Sequence, residues 1–210
     1  MAKRNTKEII LFESLRLFAD KGYDGVTVRD IAAEVGIKQS SLYKHYKSKQ
    51  EIFDTLVDTM QLRFQDASVS FQLPDGELQE VAKKYATGGN QVLKKISSDI
   101  FHFYLNDPYA SQFRRMLSIE KYKNKEVDRL YREVYIDSAI TYQAALFDEM
   151  IKQGFMRQAD PEVMALQFFS PIFLLLNKYD SIAEKEKEAI EILDKHIEQF
   201  DMIYRKEGIS

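Results

Sequence analysis

The sequence has no cysteine, and it contains only eight glycines and four prolines among 210 residues. The absence of cysteine excludes disulfides, thiolate chemistry and cysteine-ligated zinc, and it fits a protein that stays in a reducing cytosol. The scarcity of glycine and proline, with almost no strand-like alternation, favours an all-α fold. Hydrophobic residues make up 45% of the chain, which is enough to form a sizeable core.

A membrane-spanning segment is also lacking. The longest apolar run, residues 163–176, is interrupted by Gln167, Ser170 and Pro171 and is too short to cross a bilayer. The first residues carry charge but no apolar stretch follows them, so no signal peptide is predicted. We therefore expect a cytoplasmic protein that does not bind a membrane.

No pattern of catalytic or metal-ligating residues stands out. The chain contains no Walker loop, no dinucleotide-binding glycine motif, no nucleophile elbow and no His-Glu-x-x-His. The three histidines, His45, His102 and His196, lie far apart without metal-ligand spacing. The sequence therefore predicts no cofactor, no metal site and no enzymatic activity.

Charge is divided unevenly along the chain. Residues 1–50 contain ten Lys/Arg and six Asp/Glu, a net charge of +4, whereas residues 51–210 contain 20 and 27, a net charge of −7. A basic N-terminal module on an acidic body indicates two separate functions.

Residues 27–49 form the most informative stretch, which the pattern predicts to be two short helices joined by a glycine turn. Thr27 and Asp30 have the spacing of a capping box, and Gly36 stands where the first helix must end, because glycine tolerates a positive φ. The residues left facing outward are polar, cationic or amphipathic, as expected of a helix in a DNA major groove. Any αα-hairpin with a polar outer face explains the same spacing equally well.

Start and stop signals place the other helices. Asp107-Pro108 and Asp160-Pro161 are helix starts, Gly154 is a stop, and a break is expected at Gly88-Gly89. The segment Pro74-Asp75-Gly76 should end the long helix that begins at Ser48, and Pro171 should kink the helix that contains it. These helices are predicted over residues 6–21, 48–71, 77–106, 107–121, 124–153, 161–178 and 184–205, so the chain has about nine helices.

A series of short motifs runs through residues 17–53, namely Leu17-Phe18, Lys21-Gly22-Tyr23, Thr27-Val28, Asp30-Ile31-Ala32, Val35-Gly36-Ile37, Leu42-Tyr43, His45 to Gln50, and Ile52-Phe53. The order and spacing of these residues resemble the DNA-binding module of TetR/AcrR-type transcriptional regulators. The resemblance covers about a quarter of the chain and departs from the family at Lys38, Ser40, Lys44 and Tyr46, where Ser or Thr, Gly, an aromatic residue and Phe are frequent.

The resemblance implies a three-helix helix-turn-helix DNA-binding domain over residues 1–49 and a larger helical effector-binding and dimerisation domain over residues 50–210, coupled by the helix at 49–71. It implies a repressor that binds a pseudo-palindromic double-stranded operator as a homodimer and is released by a small organic effector. The residues expected to contact DNA are Thr27, Arg29, Lys38, Gln39, Ser40, Ser41, Tyr43, Lys44, His45 and Lys49.

The C-terminal body is rich in aromatic residues, and most of them should belong to the core. Tyr131, Tyr135 and Tyr142 recur on one face of the predicted helix 124–153, and tyrosine is a common lining of ligand cavities. A hydrophobic or aromatic effector is expected. The candidate effector residues are Phe64, Phe101, Tyr104, Phe113, Leu117, Tyr135, Tyr142 and Phe169.

The last predicted helix carries an apolar seam with heptad spacing. It follows a helix that is apolar almost all round, and two such helices from each of two chains would close a four-helix interface. The predicted dimer interface contains Phe168, Ile172, Leu175, Ile190, Leu193, Ile197, Phe200 and Tyr204.

Two other functions compete with the regulator. An interaction or carrier protein could retain the helix pair without using it on DNA, and binding to the chain's own upstream DNA would discriminate against it. An enzyme built from the helical body has no residue pattern in its favour.

Overall fold

The computed structural model describes residues 5–70, 76–180 and 182–206. Over these ranges the chain forms ten α-helices, with a π turn (Glu133–Asp137) that joins two of them and a 3-10 turn (Ala183–Lys185) before the last. The all-α fold is confirmed. The helices are α1 (Thr6–Lys21), α2 (Val28–Val35), α3 (Gln39–Leu42), α4 (Lys49–Ser70), α5 (Leu78–Asn106), α6 (Pro108–Glu120), α7 (Lys125–Arg132), α8 (Ser138–Lys152), α9 (Pro161–Lys178) and α10 (Glu186–Tyr204).

The chain divides into two compact units. The first unit comprises Met1–Ala67 and Asp107–Tyr131, and the second comprises Ser68–Asn106 and Arg132–Ser210. Most of α4, with α6 and nearly all of α7, belongs to the same unit as α1 to α3. This division differs from the predicted domain boundary between residues 49 and 50, which stays a prediction. None of the helices in the described ranges is long and apolar enough to cross a membrane.

The first unit is built around α1, which packs against α2 and α6. Its stripe of Ile10, Leu15 and Phe18 is fully buried, as are Ile31 of α2 and Leu42 of α3. Burying a side chain of this size contributes roughly 1.5–3 kcal/mol. The short helices α2 and α3 are therefore held by tertiary packing, because isolated helices of four to eight residues are unstable in water.

Helix α6 is fastened to the same unit at its N-terminal end. Asp107 caps α6 by accepting hydrogen bonds from the amides of Tyr109 and Ala110, both at 2.9 Å, as predicted. Its other carboxylate oxygen forms an ion pair with Arg63 of α4 at 2.8 Å. The Tyr109 ring lies 5.9 Å from that of Phe12 in α1 and 4.9 Å below the Arg63 guanidinium.

Helix α5 breaks where the sequence predicts. Gly89 has φ 66° and ψ −173°, a conformation that glycine adopts without steric cost and that interrupts the helical hydrogen bonds. The carbonyl of Ala86, three residues before Gly89, accepts a hydrogen bond from Arg205 at 3.2 Å. The Nε of Arg205 donates to both carboxylate oxygens of Asp201, at 2.8 and 2.9 Å.

The predicted helix 124–153 is interrupted by the π turn, which the sequence did not indicate. A π turn closes its hydrogen bonds over five residues instead of four, so it shifts the phase of everything that follows it. Tyr131 and Tyr135 are buried, but Tyr142 is 43% exposed. The expectation that all three tyrosines share one face stays a prediction.

The core of the second unit is formed by α5, α8, α9 and α10, and it uses the heptad seam of α10. Leu193 and Ile197 have no exposed surface, and Phe168, Leu175 and Phe200 are at most 6% exposed within one chain. Ile172, Ile190 and Tyr204 are partly buried against the same core. Five of the eight residues predicted to form a dimer interface are therefore buried in the core of the single chain, whereas Ile172, Ile190 and Tyr204 keep some exposed surface. The dimer interface itself stays a prediction.

The opposite faces of α9 and α10 are exposed. Helix α9 is apolar almost all round, yet Val163 and Leu166 are each 47% exposed and Leu174 is 64% exposed. On α10, Ile192 and Met202 are also exposed. The predicted end of α4 at residue 71, and the stop signal at residues 74 and 75, lie outside the described residues.

Candidate nucleic-acid interface

The helix pair at residues 27–46 has the geometry that its sequence predicts. Thr27 caps α2, and Gly36 ends it in the left-handed conformation, with φ 74° and ψ 34°. The amide of Gly36 donates to the carbonyl of Ala33 at 3.1 Å, and that of Ile37 donates to the carbonyl of Ala32 at 2.9 Å. This pair of bonds closes the turn and directs the chain into α3.

Helix α3 is only four residues long, and a tighter turn extends it. The amides of Lys44 and His45 donate to carbonyls three residues back, those of Ser41 and Leu42, at 3.2 and 2.8 Å. Such bonds are typical of 3-10 geometry at helix ends. Lys38 precedes α3 without a side-chain cap, as predicted from its place where Ser or Thr is usual.

The predicted DNA-contacting residues form a largely exposed set. Leu42 is completely buried and anchors α3, which leaves the neighbouring positions free to face solvent. Tyr43 is 48% exposed, and Ser41, His45 and Lys49 are half-buried. The other exposed members are Thr27, Arg29, Lys38, Gln39, Ser40 and Lys44. Their contacts with DNA stay a prediction.

Thr27 already uses its donors inside the chain. Its amide and its hydroxyl both donate to the same carboxylate oxygen of Asp30, at 2.8 and 2.6 Å. The hydroxyl oxygen accepts from the Asp30 amide at 3.2 Å, which completes the predicted capping box. The hydrogen bonds from the Thr27 side chain and backbone lower the pKa of Asp30.

Lys49 also has an internal role that the sequence did not predict. Its ammonium donates to the carbonyls of Tyr23 and Val26, at 2.8 and 3.0 Å, and lies 4.0 Å from the centroid of the Tyr23 ring. These contacts join the start of α4 to the connection between α1 and α2. A contact between Lys49 and a DNA phosphate therefore has no support in this geometry.

Two cations near the set were missed by sequence reasoning. Lys47 is exposed between His45 and Lys49, and its position in the same polar stretch was a sufficient signal. Lys7 is exposed on α1, with its ammonium 5.3 Å from the ring of Tyr46. Lys7 and Tyr46 are 39 residues apart, so only the packing of α1 against the end of the helix pair reveals that Lys7 lies near the predicted DNA-contacting residues.

The candidate effector residues are divided between the two units. Phe113 and Leu117 are buried in the first unit, which also contains half-buried Phe64. In the second unit, the rings of Tyr104 and Tyr135 are 5.6 Å apart, and Phe101 is a fully buried core residue. Phe169 lies near Phe173 on α9, and Tyr142 is exposed. Burial raises the pKa of Tyr104, so its hydroxyl is neutral at physiological pH.

Comparison with known proteins agrees with this geometry. Residues 10–56 match the model of the family described as bacterial regulatory proteins, tetR family. The chain is 28% identical over 177 residues to IcaR of Staphylococcus epidermidis, an HTH-type negative transcriptional regulator of the biofilm operon icaADBC, and the alignment covers 84% of this chain and 76% of IcaR.

Solved structures show the same fold over nearly the whole chain. A TetR-family transcriptional regulator from Mesorhizobium loti superposes with a TM-score of 0.65 at 18% identity, over 98% of this chain and 100% of the other. The complex of SmeT with triclosan superposes with a TM-score of 0.63 at 17% identity, over 99% of this chain and 95% of the other. SmeT is the repressor of the multidrug efflux pump SmeDEF of Stenotrophomonas maltophilia. Residues 10–56 therefore match the tetR family of bacterial regulatory proteins, most of the chain is similar to a negative transcriptional regulator, and the fold is that of the TetR-type structures.

Proposed function

We propose that the protein is a repressor that binds a pseudo-palindromic operator as a homodimer and leaves it when a small organic effector binds. The observation that carries the DNA-binding part is the exposed polar face of α3 and its following turn, anchored by fully buried Leu42 in a module that matches the family model. The direction of regulation is supported by IcaR, a negative regulator to which most of the chain aligns.

Gln39 and Ser40 are the proposed contacts to base edges. They lie in the first turn of α3, where a helix in the major groove brings short polar side chains to the bases. Tyr43, Lys44 and His45 follow in the tighter turn and are proposed to hold phosphates and fix the register of the helix. Lys47 joins this group because it is an exposed cation beside them.

The test is a titration of the protein against a DNA duplex that covers the region upstream of its own coding sequence. Wild-type protein is expected to bind this duplex more tightly than a shuffled duplex of the same composition. Gln39→Ala should reduce that preference, while Lys44→Ala should weaken binding to both duplexes and lower the salt slope by about 1.

Lys187→Ala is the matched control, because Lys187 is an exposed lysine on α10 in the second unit. It should leave affinity, preference and salt slope unchanged. Equal binding of wild-type protein to both duplexes would contradict sequence-specific regulation, and no binding at low salt would contradict DNA binding altogether.

The dimer is proposed to form through the exposed faces of α9 and α10, in place of the buried seam. Val163, Leu166 and Leu174 recur at spacings of three and eight residues on α9 and stay exposed in the single chain, as does Ile192 on α10. Several large apolar side chains exposed along two packed helices are typical of an interface between subunits.

The effector is proposed to be a hydrophobic or aromatic compound that binds among the buried aromatic residues of the second unit. Tyr104 supports this site, because its ring makes edge contacts with those of Phe103 and Tyr135, at interplanar angles of 69° and 68°. Its burial also keeps the hydroxyl neutral. Neutral phenolic groups among apolar rings suit an uncharged ligand with few polar atoms.

Triclosan is a suitable probe, because SmeT binds it and it has this chemistry. It should raise the melting temperature in proportion to the logarithm of its concentration and should release the upstream duplex over the same range. Tyr104→Ala should reduce both effects together. A rise in melting temperature without release of DNA would contradict the coupling between effector and operator.

A further inference from the structure

The connection between α1 and α2, residues 22–26, is held by a charged side chain from outside the helix pair. The backbone amide of Tyr23 donates a hydrogen bond to Oε1 of Glu120, the last residue of α6, at 2.8 Å. Glu120 is 2% exposed, and its side chain comes from a helix 97 residues further along the chain. A carboxylate is buried this deeply only when its oxygens are hydrogen-bonded or paired with a charge.

Gly22 makes this approach possible. A Cβ atom at position 22 would lie 2.5 Å from Oε1 of Glu120, and the backbone has φ +76°, which favours glycine. The ammonium of Lys123 lies 3.3 Å from the same carboxylate oxygen and is half exposed. The carboxylate therefore has one backbone donor and one ammonium as its partners, and the backbone donor belongs to the connection.

The connection is fixed on its other sides as well. The Tyr23 ring lies 5.2 Å from that of Phe18 and 5.5 Å from that of Phe53, beneath the ammonium of Lys49. Two residues are thus bound through the Tyr23 backbone, Glu120 at the amide and Lys49 at the carbonyl. Four residues beyond Tyr23 the chain reaches Thr27, the cap that sets the start of α2.

We propose that Glu120 is a positioning residue for DNA binding: by accepting the Tyr23 amide it fixes the connection from α1, and with it the direction of α2 and α3. This inference rests on the proposed function, since it assigns control of the same interface to a residue of α6. Glu120 lies outside the region that matches the family model, and it contacts DNA in no step of the proposal.

The direction in which a substitution of Glu120 changes the affinity for DNA distinguishes a positioning role from a purely electrostatic one. Removal of a carboxylate from a DNA-binding unit strengthens DNA binding if only its charge matters, because DNA is a polyanion. If Glu120 positions the connection, loss of its hydrogen bond weakens binding to the operator and leaves the salt slope unchanged, because no phosphate contact is lost.

Two variants of Glu120 separate the effect of its charge from the effect of its side-chain length. Glu120→Gln keeps the length of the side chain and an oxygen that can accept the Tyr23 amide, but it loses the charge. Glu120→Asp keeps the charge but is one methylene shorter. The control is Glu126→Gln, which removes a charge from a side chain that is 79% exposed on α7 of the same unit.

Each variant is measured for affinity to the upstream duplex, for salt slope and for hydrogen exchange of the Tyr23 amide after selective ¹⁵N-tyrosine labelling. Glu120→Gln should retain a protected Tyr23 amide and an affinity near that of wild type. Glu120→Asp should lose the protection and about tenfold or more in affinity, with an intact circular dichroism spectrum. Glu126→Gln should change neither.

Wild-type behaviour of Glu120→Asp in both measurements would overturn the proposal. So would an equal loss in Glu120→Gln, since the ion pair with Lys123 would then carry the effect in place of the backbone bond. If the wild-type protein binds no DNA, the proposed function fails by itself, while exchange of the Tyr23 amide still shows whether Glu120 holds the connection.

Discussion

The ammonium of Lys49 and the backbone of Tyr23 are joined by a hydrogen bond of 2.8 Å, and the same ammonium covers the Tyr23 ring at 4.0 Å. A second hydrogen bond, to the carbonyl of Val26, is 3.0 Å long. The first residue of α4 thereby fixes the connection between α1 and α2, so Lys49 contributes to the stability of the helix pair itself.

Lys49→Met should lower the free energy of unfolding by about 1–3 kcal/mol, because two partly buried carbonyls lose their donor and the cation–π contact disappears. Methionine keeps the apolar stem, so the loss reports the ammonium. Urea denaturation measures this value. The salt slope of DNA binding should stay at the wild-type value if Lys49 contacts no phosphate.

Lys44→Met is the control for this experiment. Lys44 is exposed, so its substitution should change stability by less than about 0.5 kcal/mol while lowering the salt slope by about 1. If Lys49→Met instead lowers the salt slope and leaves stability unchanged, Lys49 is a phosphate contact and its internal bonds are without consequence.

Tyr46 makes the stability of the first unit sensitive to alkaline pH. Burial, followed by the nearby charges of Glu51 and Glu8, raises the pKa of Tyr46 to about 12 in the folded protein, from 10.0 for an ordinary tyrosine. Burial favours the neutral phenol, so the stabilisation of the folded state by Tyr46 is fully present below pH 10. It is lost as the pH rises from 10 towards 12, because the unfolded chain ionises first.

Tyr46→Phe should remove this part of the pH dependence. At pH 7 the variant loses only the 3.3 Å hydrogen bond from the Tyr46 hydroxyl to the carbonyl of Lys7, which costs about 1 kcal/mol or less. Urea denaturation at pH 8 and pH 11 should show a smaller loss of stability for the variant than for wild type. Equal losses would show that other groups cause the alkaline effect.

Sequence patterns predicted those features whose signals are local. The capping box of Thr27 and Asp30, the turn at Gly36 and the cap at Asp107 each depend on residues within four positions of one another, so the residue types alone indicate the geometry. The break at Gly89 was predictable for the same reason, because glycine pairs weaken a helix wherever they occur.

Contacts over long separations were not predictable. Lys49 and Tyr23 are 26 residues apart, and Glu120 and Tyr23 are 97 apart, so only the packing of α4 and α6 brings them together. The seam of α10 shows the related limit of periodicity. Its spacing indicates that one face of a helix is apolar, but not whether the same chain or a partner covers that face.

The capping box predicts a loss of stability in acid. Hydrogen bonds from Thr27 lower the pKa of Asp30 below its ordinary value of 3.8. A lowered pKa means that the carboxylate stabilises the folded state above about pH 4, and that this contribution is lost as the pH falls through the folded pKa. Asp30→Ala should therefore destabilise the protein at pH 6 more than at pH 3, as measured by thermal unfolding.

Thr27→Ala provides the comparison, because it removes the cap but no ionisable group. It should cost about 1 kcal/mol at pH 6. Removal of the Thr27 hydroxyl should also return the Asp30 pKa towards its ordinary value, so NMR titration of Asp30 should move upward in this variant. An unchanged titration would show that the hydroxyl does not set the pKa.

The two faces of α9 and α10 predict opposite outcomes for aspartate substitutions. Leu174 is 64% exposed on the outer face, whereas Leu193 has no exposed surface in the core. Leu174→Asp should shift sedimentation from dimer to monomer without loss of helical content, because a charge placed in a subunit interface must be desolvated. Leu193→Asp should lower the melting temperature strongly or prevent folding, because the charge is then buried within the chain. Monomeric wild-type protein at micromolar concentration would contradict the proposed interface. A folded, monomeric Leu193→Asp variant together with a dimeric Leu174→Asp variant would contradict it as well, because the subunits would then meet at the seam of α10.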